Sequence, residues 1–299
     1  MNYDIEADWK LLNPCNFRCS YCFIAPSQLA SKMRRYASAA EWKAAFAKTG
    51  KTWLLHMTGG EPSIYFDFAA LCRAVTEDHF MSLNSNLTHG AIAEFARSVD
   101  PRRVSFINAG LHLEEREARI GHASFLRHAD LLRDAGFPLF VSMVATPTAL
   151  RRFDEAAQLL RPLGLFPVPK LLRETFEGRQ YPGAYTPAEK VRFGVLAEAA
   201  RAFYGGALAG RAERPSIDIF GDDAFVDGTP SYAGRSCEAG RRFVSIEPDG
   251  GVFRCSPKTR LGNLLAGSFA PRPAPAPCDT SYCFYFCQKY AAPAASAAA

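Results

Sequence analysis

The sequence predicts an α/β fold: a partial (β/α)6 barrel of the TIM type, followed by a small C-terminal module built around a β-hairpin. Three observations predict it. Strand-like and helix-like segments alternate from about residue 8 to 205, which implies parallel strands joined by helical crossovers. Two of those strands carry polar rows on one face, and a covered parallel sheet leaves such rows lining a site. The last third changes character and contains "PDGG" (248–251), a strong hairpin turn.

Taken in order, "DWKLLN" (8–13) is the first candidate strand and leads into a cysteine-bearing loop. "TWLLHM" (52–57) ends at "TGGEP", and "HFMSLNSNL" (79–87) follows a helix built on "YFDFAALCRAVTED" (65–78). "RVSFINAGLHLEE" (103–115), "FPLFVSMVAT" (137–146) and "FPVPKLLRE" (166–174) complete six. Between the later strands, "HASFLRHADLLRDAG" (122–136) and "PTALRRFDEAAQLLRPLG" (147–164) read as amphipathic helices ending at a C-cap glycine. "TPAEKVRFGVLAEAARAF" (186–203) opens on Thr186, Pro187 and Glu189, an N-cap, N1 and N3 set. On the fourth strand Ile107, Ala109, Leu111 and Leu113 share one face, and Asn108, Gly110, His112 and Glu114 the other. On the third, Met81, Leu83 and Leu87 oppose Ser82, Asn84 and Asn86. The apolar faces should meet the helices; the polar ones should line a ligand site at the C-terminal ends of the barrel strands. Cys72, beside Phe68, Leu71 and Val75 on an apolar helix face, is expected in the core.

Past the barrel, "SIDIFGDDAFVDG" (216–228) and "RFVSIEPDGGVFRCS" (242–256) read as antiparallel strands, and "APRPAPAP" (270–277) as an extended connector. "AAPAASAAA" (291–299) has no core-forming residues and is expected to be disordered. The expected division is a barrel over 1–205, a C-terminal module over 206–290 and a tail over 291–299.

The bulk numbers exclude some functions. The 299 residues are 48% hydrophobic and carry a net charge of +5, too weak an excess to argue for nucleic acid. No apolar stretch approaches the ~20 residues of a membrane helix. The acidic start "MNYDIEADWK" is unlike a signal peptide, so a cytoplasmic location is expected. Nine cysteines in a reducing compartment point to metal or redox work rather than disulfides.

The cysteine loop is the most specific feature. Cys15, Cys19 and Cys22 are spaced C-x3-C-x2-C in "NPCNFRCSYCF". Three thiolates can hold three irons of a [4Fe-4S] cube and leave the fourth open to a substrate group; four would close it. A zinc site would use paired C-x2-C hooks, and Cys19 and Cys22 supply only one.

"CNFRCSYC" followed by "TGGEP" resembles the radical S-adenosylmethionine (radical SAM) superfamily, over roughly residues 8 to 205. The resemblance implies a cluster on Cys15, Cys19 and Cys22, with Tyr21 in the aromatic place before the last cysteine and packed near the adenine of SAM. It implies that Gly59 and Gly60 let the backbone approach the methionine ammonium and that Glu61 shapes the turn before Pro62. Asn84, Asn86, His112 and Glu114 would meet ribose or methionine, with Ser142 a further candidate. SAM cleavage would give a 5′-deoxyadenosyl radical that abstracts hydrogen from a C–H bond, with an external one-electron donor such as flavodoxin or ferredoxin.

Five cysteines remain: Cys237, Cys255, Cys278, Cys283 and Cys287. "CEAGRRFVSIEPDGGVFRC…CDTSYCFYFC" is similar to the auxiliary-cluster modules of that superfamily, called SPASM when long and twitch when short. A full SPASM module needs about seven cysteines, so one auxiliary [4Fe-4S] cluster is expected. Its expected ligands are Cys237, Cys255, Cys283 and Cys287, with Cys278 able to replace one of the last pair or to serve as a hydrogen-atom donor. A structural zinc knot stays open at this point.

Relatives with short modules dehydrogenate aminocyclitol alcohols or rearrange nucleotides; those with longer ones modify peptides. Peptide-modifying relatives often carry an N-terminal recognition domain of about 80–100 residues, and 14 residues precede Cys15 here. The expected function is therefore net oxidation of a small polar metabolite such as a sugar, cyclitol or nucleoside. The alternatives are a peptide epimerase, cross-linker or thioether former, and a non-enzymatic iron–sulfur or zinc protein. Lys170, Arg173 and Glu174, at the end of the sixth strand, are either substrate contacts or ordinary surface charge.

Overall fold

The computed structural model describes residues 1–32, 37–209, 220–228, 231–255, 259–280 and 289–291, with only the backbone of 207–209. Strands β1 (Ile5–Leu12), β2 (Trp53–Gly59), β3 (Phe80–Ser85), β4 (Val104–Gly110), β5 (Leu139–Val144) and β6 (Pro167–Lys170) pair in sequence order, all parallel. Helices α1 (Pro26–Leu29), α2 (Ala39–Ala47), α3 (Phe68–Thr76), α4 (Ala91–Ser98), α5 (Leu113–Arg119), α6 (Ala123–Asp134), α7 (Pro147–Arg151), α8 (Phe153–Leu160) and α9 (Pro187–Ala209) occupy the crossovers and the stretch after β6. This is the partial barrel expected from the alternation.

The helix side of the sheet is the main core. Odd-numbered residues of β1 and β2, among them Trp9, Trp53, Leu55 and Met57, are fully buried against α2 and α3. Trp9 meets Trp42 edge-on at 4.8 Å and Phe46 at 5.2 Å. Burying each such ring contributes roughly 1.5–3 kcal/mol, enough to fix which face of β1 turns outward. Cys72 is buried in this core, as expected.

The even-numbered face looks inward. At the N-terminal end it is closed by Phe106, Phe140 and Val168, packed with Tyr204 of α9, Phe220 and, from the C-terminal part, Cys237, Ala239 and Phe243. Above this plug the inward positions turn polar: Asp8, Thr58, Asn84, Asn108, Ser142 and Lys170.

The C-terminal strands are β7 (Glu174–Phe176) and β8 (Arg179–Tyr181), paired with each other, then β9 (Ser236–Cys237), β10 (Phe243–Ile246), β11 (Gly251–Phe253), β12 (Arg260–Asn263) and β13 (Ala276–Pro277). β10 and β11 form the expected hairpin. β10 also pairs in parallel with β1, so the sheet of the described residues runs β12-β11-β10-β1-β2-β3-β4-β5-β6. The hairpin therefore extends the barrel sheet.

Several elements differ from expectation. The strand expected over 103–115 stops at Gly110, because Leu113 already begins α5, with His112 at φ 47° between them. The helix expected over 147–164 breaks at Arg152 (φ −94°, ψ 11°), where α7 turns to pack on α9 and α8 on β6. Of the strand expected over 216–228, residues 221–225 form a 3-10 helix whose Asp222 carboxylate accepts from the Leu171 N–H at 2.8 Å. In the proline-rich connector, Ala276 and Pro277 form a short ladder with β9. At the start of the expected tail, Ala291 bridges to Cys237; 292–299 lie outside the described residues.

Candidate functional site

β1 delivers the cysteine loop at the C-terminal end of the sheet, beside the end of β2. The loop is tied back by the Cys15 N–H, donated to the Leu29 carbonyl at 3.1 Å, and turned by the Cys22 N–H, donated to the Cys19 carbonyl at 3.0 Å. The Phe17 N–H reaches Cys15 Sγ at 3.4 Å. Cys15, Cys19 and Cys22 are all half-buried. Burial pushes the Cys15 thiol up to about 11, with the charges of Glu61 and Cys22 adding to it, and the Cys19 thiol up to about 12, with those of Glu115, Cys15 and Cys22 adding. Three such groups ionise together only around a cation. Among the described residues no three Cys, His, Asp or Glu side chains converge as on a single ion. A cube takes each thiolate on a different corner, so the donor set fits an iron–sulfur cluster better than zinc.

"TGGEP" lies directly against this loop. The Gly60 N–H donates to Leu12 O at 2.9 Å and the Glu61 N–H to Pro14 O at 3.0 Å. A Cβ on Gly59 (φ 127°) would overlap the Leu12 carbonyl, and one on Gly60 the Pro14 carbonyl. The glycines are required here by the cysteine loop itself, a closer reason than ligand approach. The Glu61 carboxylate is 1% exposed and fully engaged inside the protein. Oε1 accepts from the Ser63 N–H (3.0 Å), Ser63 Oγ (2.6 Å) and Ser85 Oγ (2.7 Å), and Oε2 from the Asn86 N–H (2.6 Å). It pins the end of β3 to the turn after β2, which leaves it no place among the contacts of a small ligand.

The other expected residues separate. Asn86 is buried and spends its amide on the loop, Nδ2 donating to Asn16 Oδ1 at 2.9 Å. His112 turns toward the cysteines: Nδ1 lies 2.8 Å from the Tyr21 hydroxyl and 3.4 Å from Cys19 Sγ. A Cβ on Gly110 would overlap its ring. Burial, then the nearby Arg116 charge, lowers His112 to about 3, so its ring is neutral. Glu114 is exposed on α5, because the strand ended sooner than expected; its neighbour Glu115 touches the loop, accepting from the Arg18 N–H at 2.5 Å. Asn84 faces the interior opposite Asn108, and Ser142 opposite Gly110. Lys170 is paired with Asp222 at 3.1 Å, and Arg173 stands 4.0 Å from the same carboxylate; Glu174 is exposed.

The sequence matches the radical SAM superfamily over residues 9–160, just over half of the chain. The chain belongs to the radical SAM superfamily. Solved radical SAM structures share the fold. A polyhistidine-tagged anSMEcpe with bound AdoMet is 15% identical, with a TM-score of 0.56, over 89% of this chain and 76% of that one. SuiB of Streptococcus suis bound to S-adenosylmethionine is 15% identical, with a TM-score of 0.58, over 88% of this chain and 64% of that one. The chain thus spans less than two thirds of SuiB. Native anSMEcpe with AdoMet and the Cp18Cys peptide is 17% identical, with a TM-score of 0.57, over 87% of this chain and 77% of that one. No curated protein matches the sequence.

Radical SAM enzymes use a [4Fe-4S] cluster and SAM, and the residues here fit the cluster: three thiols that burial disfavours as free anions, on a loop braced by the turn that Glu61 holds. Sequence reasoning missed two contributors. Arg116 is a fully buried guanidinium under the loop, and Glu115 braces the loop from α5. The helical register of "LEERE" puts Glu115 and Arg116 in a first turn, but only once the strand end at Gly110 is known.

In the C-terminal part, Cys237 sits opposite Ala276 in the β9–β13 ladder, so Cys278 follows within two residues of it. The Cys278 N–H donates to Arg235 O at 2.7 Å. Cys255 and Cys278 both pack on the aromatic plug that contains Cys237, and Cys255 feels the charge of both. Cys278, expected as a substitute for one of Cys283 and Cys287 or as a hydrogen-atom donor, thus lies beside the plug that holds Cys237 and Cys255. Cys283 and Cys287 lie outside the described residues.

Proposed function

We propose that this radical SAM enzyme dehydrogenates a small polar substrate held inside the barrel. The observation that carries the reading is the polar inner row above the aromatic plug, Asn84, Asn108, Ser142 and the Lys170–Asp222 pair, at the strand ends that bear the cysteine loop. Such rows bind hydroxyl- and amine-rich molecules by offering partners in a site with little water. Cys15, Cys19 and Cys22 would hold the first cluster, and Cys237, Cys255 and Cys278, completed from Cys283 or Cys287, an auxiliary one. When bound, the first cluster and SAM would supply a 5′-deoxyadenosyl radical able to take a substrate hydrogen atom, and an auxiliary cluster an acceptor for the electron left behind, with the accompanying proton lost to solvent. An external donor such as flavodoxin or ferredoxin would provide the reducing electron.

The chain's own residues have separable tasks. Glu61 and the paired glycines hold the turn after β2 against the cysteine loop. His112 and Tyr21 shield Cys19, and the neutral imidazole adds no charge there. Asn84, Asn108 and Ser142 would orient the substrate, and Phe106, Phe140 and Val168 close the barrel floor to water. A second reading, peptide modification, is supported by the neighbours solved with peptides, anSMEcpe with Cp18Cys and SuiB with its precursor SuiA.

The deciding experiment incubates reduced, reconstituted protein with SAM and C–H-deuterated candidates: aminocyclitols, sugars, nucleosides and short peptides. Deuterium in 5′-deoxyadenosine from a small polyol or amine, with a two-electron-oxidised product, is the expected result. Transfer from peptides alone would replace it with the second reading.

A further inference from the structure

Beneath the cysteine loop lies a charge that the proposed chemistry has not used. Arg116, on α5, has no exposed surface. Its Nε donates to Leu111 O at 2.6 Å, and its Nη2 to Asn86 O and, at 3.4 Å, to Gly110 O. The guanidinium therefore gathers the chain ends that leave β3 and β4. Its carbon stands 5.3 Å from the centre of the Phe17 ring and 4.4 Å from that of Phe125, both within cation–π reach. Phe17 lies between Cys15 and Cys19, and its own N–H points at Cys15 Sγ. Among the described residues Nη1 has no hydrogen-bond partner.

An isolated buried cation is costly, and breaking up its compensation costs several kcal/mol. The negative group that faces Arg116 is the Glu61 carboxylate, to which Cys19 would add as a thiolate on the cluster. Glu61 is linked to it through one peptide, since Asn86 donates its N–H to Glu61 and offers its carbonyl to Arg116. Burial lowers Arg116 only to about 10, so it remains a cation at neutral pH. A three-thiolate cube gains one negative charge on reduction, and net charge, hydrogen bonding and exposure set the potential of such centres. A fixed positive charge in a site of low dielectric stabilises the reduced form over the oxidised one.

We propose that Arg116 is a positioning residue that also tunes the first cluster: its buried charge raises the potential at which the centre held by Cys15, Cys19 and Cys22 accepts its electron. This rests on membership of the radical SAM superfamily and not on the substrate reading.

The test is an EPR-monitored redox titration of the reconstituted full chain, following the signal that added SAM perturbs. Arg116→Gln keeps donors for the carbonyls and removes the charge; it is expected to lower the reduction equilibrium constant at least tenfold, ~59 mV for a one-electron couple. Arg116→Lys keeps the charge and is expected to recover most of that shift. Equal shifts in both variants, or none in Gln, would overturn the proposal and leave Arg116 a packing residue. Should neither variant take up iron, Glu61→Gln gives the opposite sign: without the carboxylate that offsets the guanidinium, the potential should rise, and a fall or no change would overturn the proposal.

Discussion

Gly60 shows how tightly single residues are constrained around the cysteine loop. Its backbone is bonded to Leu12, and any Cβ would enter the Pro14 carbonyl. Gly60→Ala must push the loop away, and overpacking of this kind costs about 1–3 kcal/mol. The expected outcome is lower stability in denaturant unfolding together with a reconstituted iron content reduced by the share of the first cluster. Unchanged iron content would mean that the loop is not held from this side. The residue types at this site were legible in the sequence: three cysteines at fixed spacing, and two glycines where chain meets chain. Their partners were not. Asn86 and Glu61 reach inward to the protein itself, because a buried polar atom takes its nearest partner, and spacing cannot say which partner that is.

Among the elements, strand order and type were legible because a period of two and runs of Leu, Val and Phe mark buried parallel strands. Element ends were less so. β4 stops early for helix α5, a change that His112 permits by adopting positive φ and that moves Glu114 from the expected strand face onto the helix. Helix α2 was missed although "SAAE" carries its signature: Ser38 caps Glu41 and Glu41 caps Ser38 in return. The pairing of β10 with β1 was illegible, since it joins distant parts of the chain that share no local signal. That pairing has a consequence. A fragment of residues 1–209 would leave β1 as a bare, apolar edge. It is expected to aggregate or to elute as oligomers with weakened secondary structure, as judged by size exclusion and circular dichroism. A folded monomeric fragment would contradict the role given to β10.

Across the whole molecule, residues from near the two ends of the chain meet in one buried polar knot. Glu6 of β1 is unexposed and accepts from His56 Nε2 at 2.7 Å, from the hydroxyls of Tyr290 at 2.6 Å and Tyr3 at 3.1 Å, and pairs with Lys289 at 2.6 Å. His56 Nδ1 lies 2.6 Å from the Ser82 hydroxyl, which donates to it. Burial keeps His56 below its ordinary value despite Glu6; burial opposes the charge on Glu6, but the His56 bond and charge, then Lys289, hold it low. In both cases the unfolded chain takes up the proton first. Stability is therefore complete above about pH 6.5, the unfolded histidine value, and falls as pH drops through it, with a further loss below about 4.3 as Glu6 is protonated. Thermal melting between pH 7.5 and 4 checks this: the wild type should lose stability steadily, and His56→Gln should flatten the limb between about 6.5 and 5. A melting temperature that rises on acidification would contradict the assignment. No helix among the described residues is long and apolar enough to cross a membrane. The central claim is that Cys15, Cys19 and Cys22 hold a cube with one iron free for SAM. Its most direct measurement is the release of 5′-deoxyadenosine by anaerobically reconstituted, chemically reduced protein given SAM. The account predicts release matched by methionine, and release at background from Cys15→Ala, Cys19→Ala and Cys22→Ala alike; no release from the wild type, or undiminished release from these variants, would contradict it.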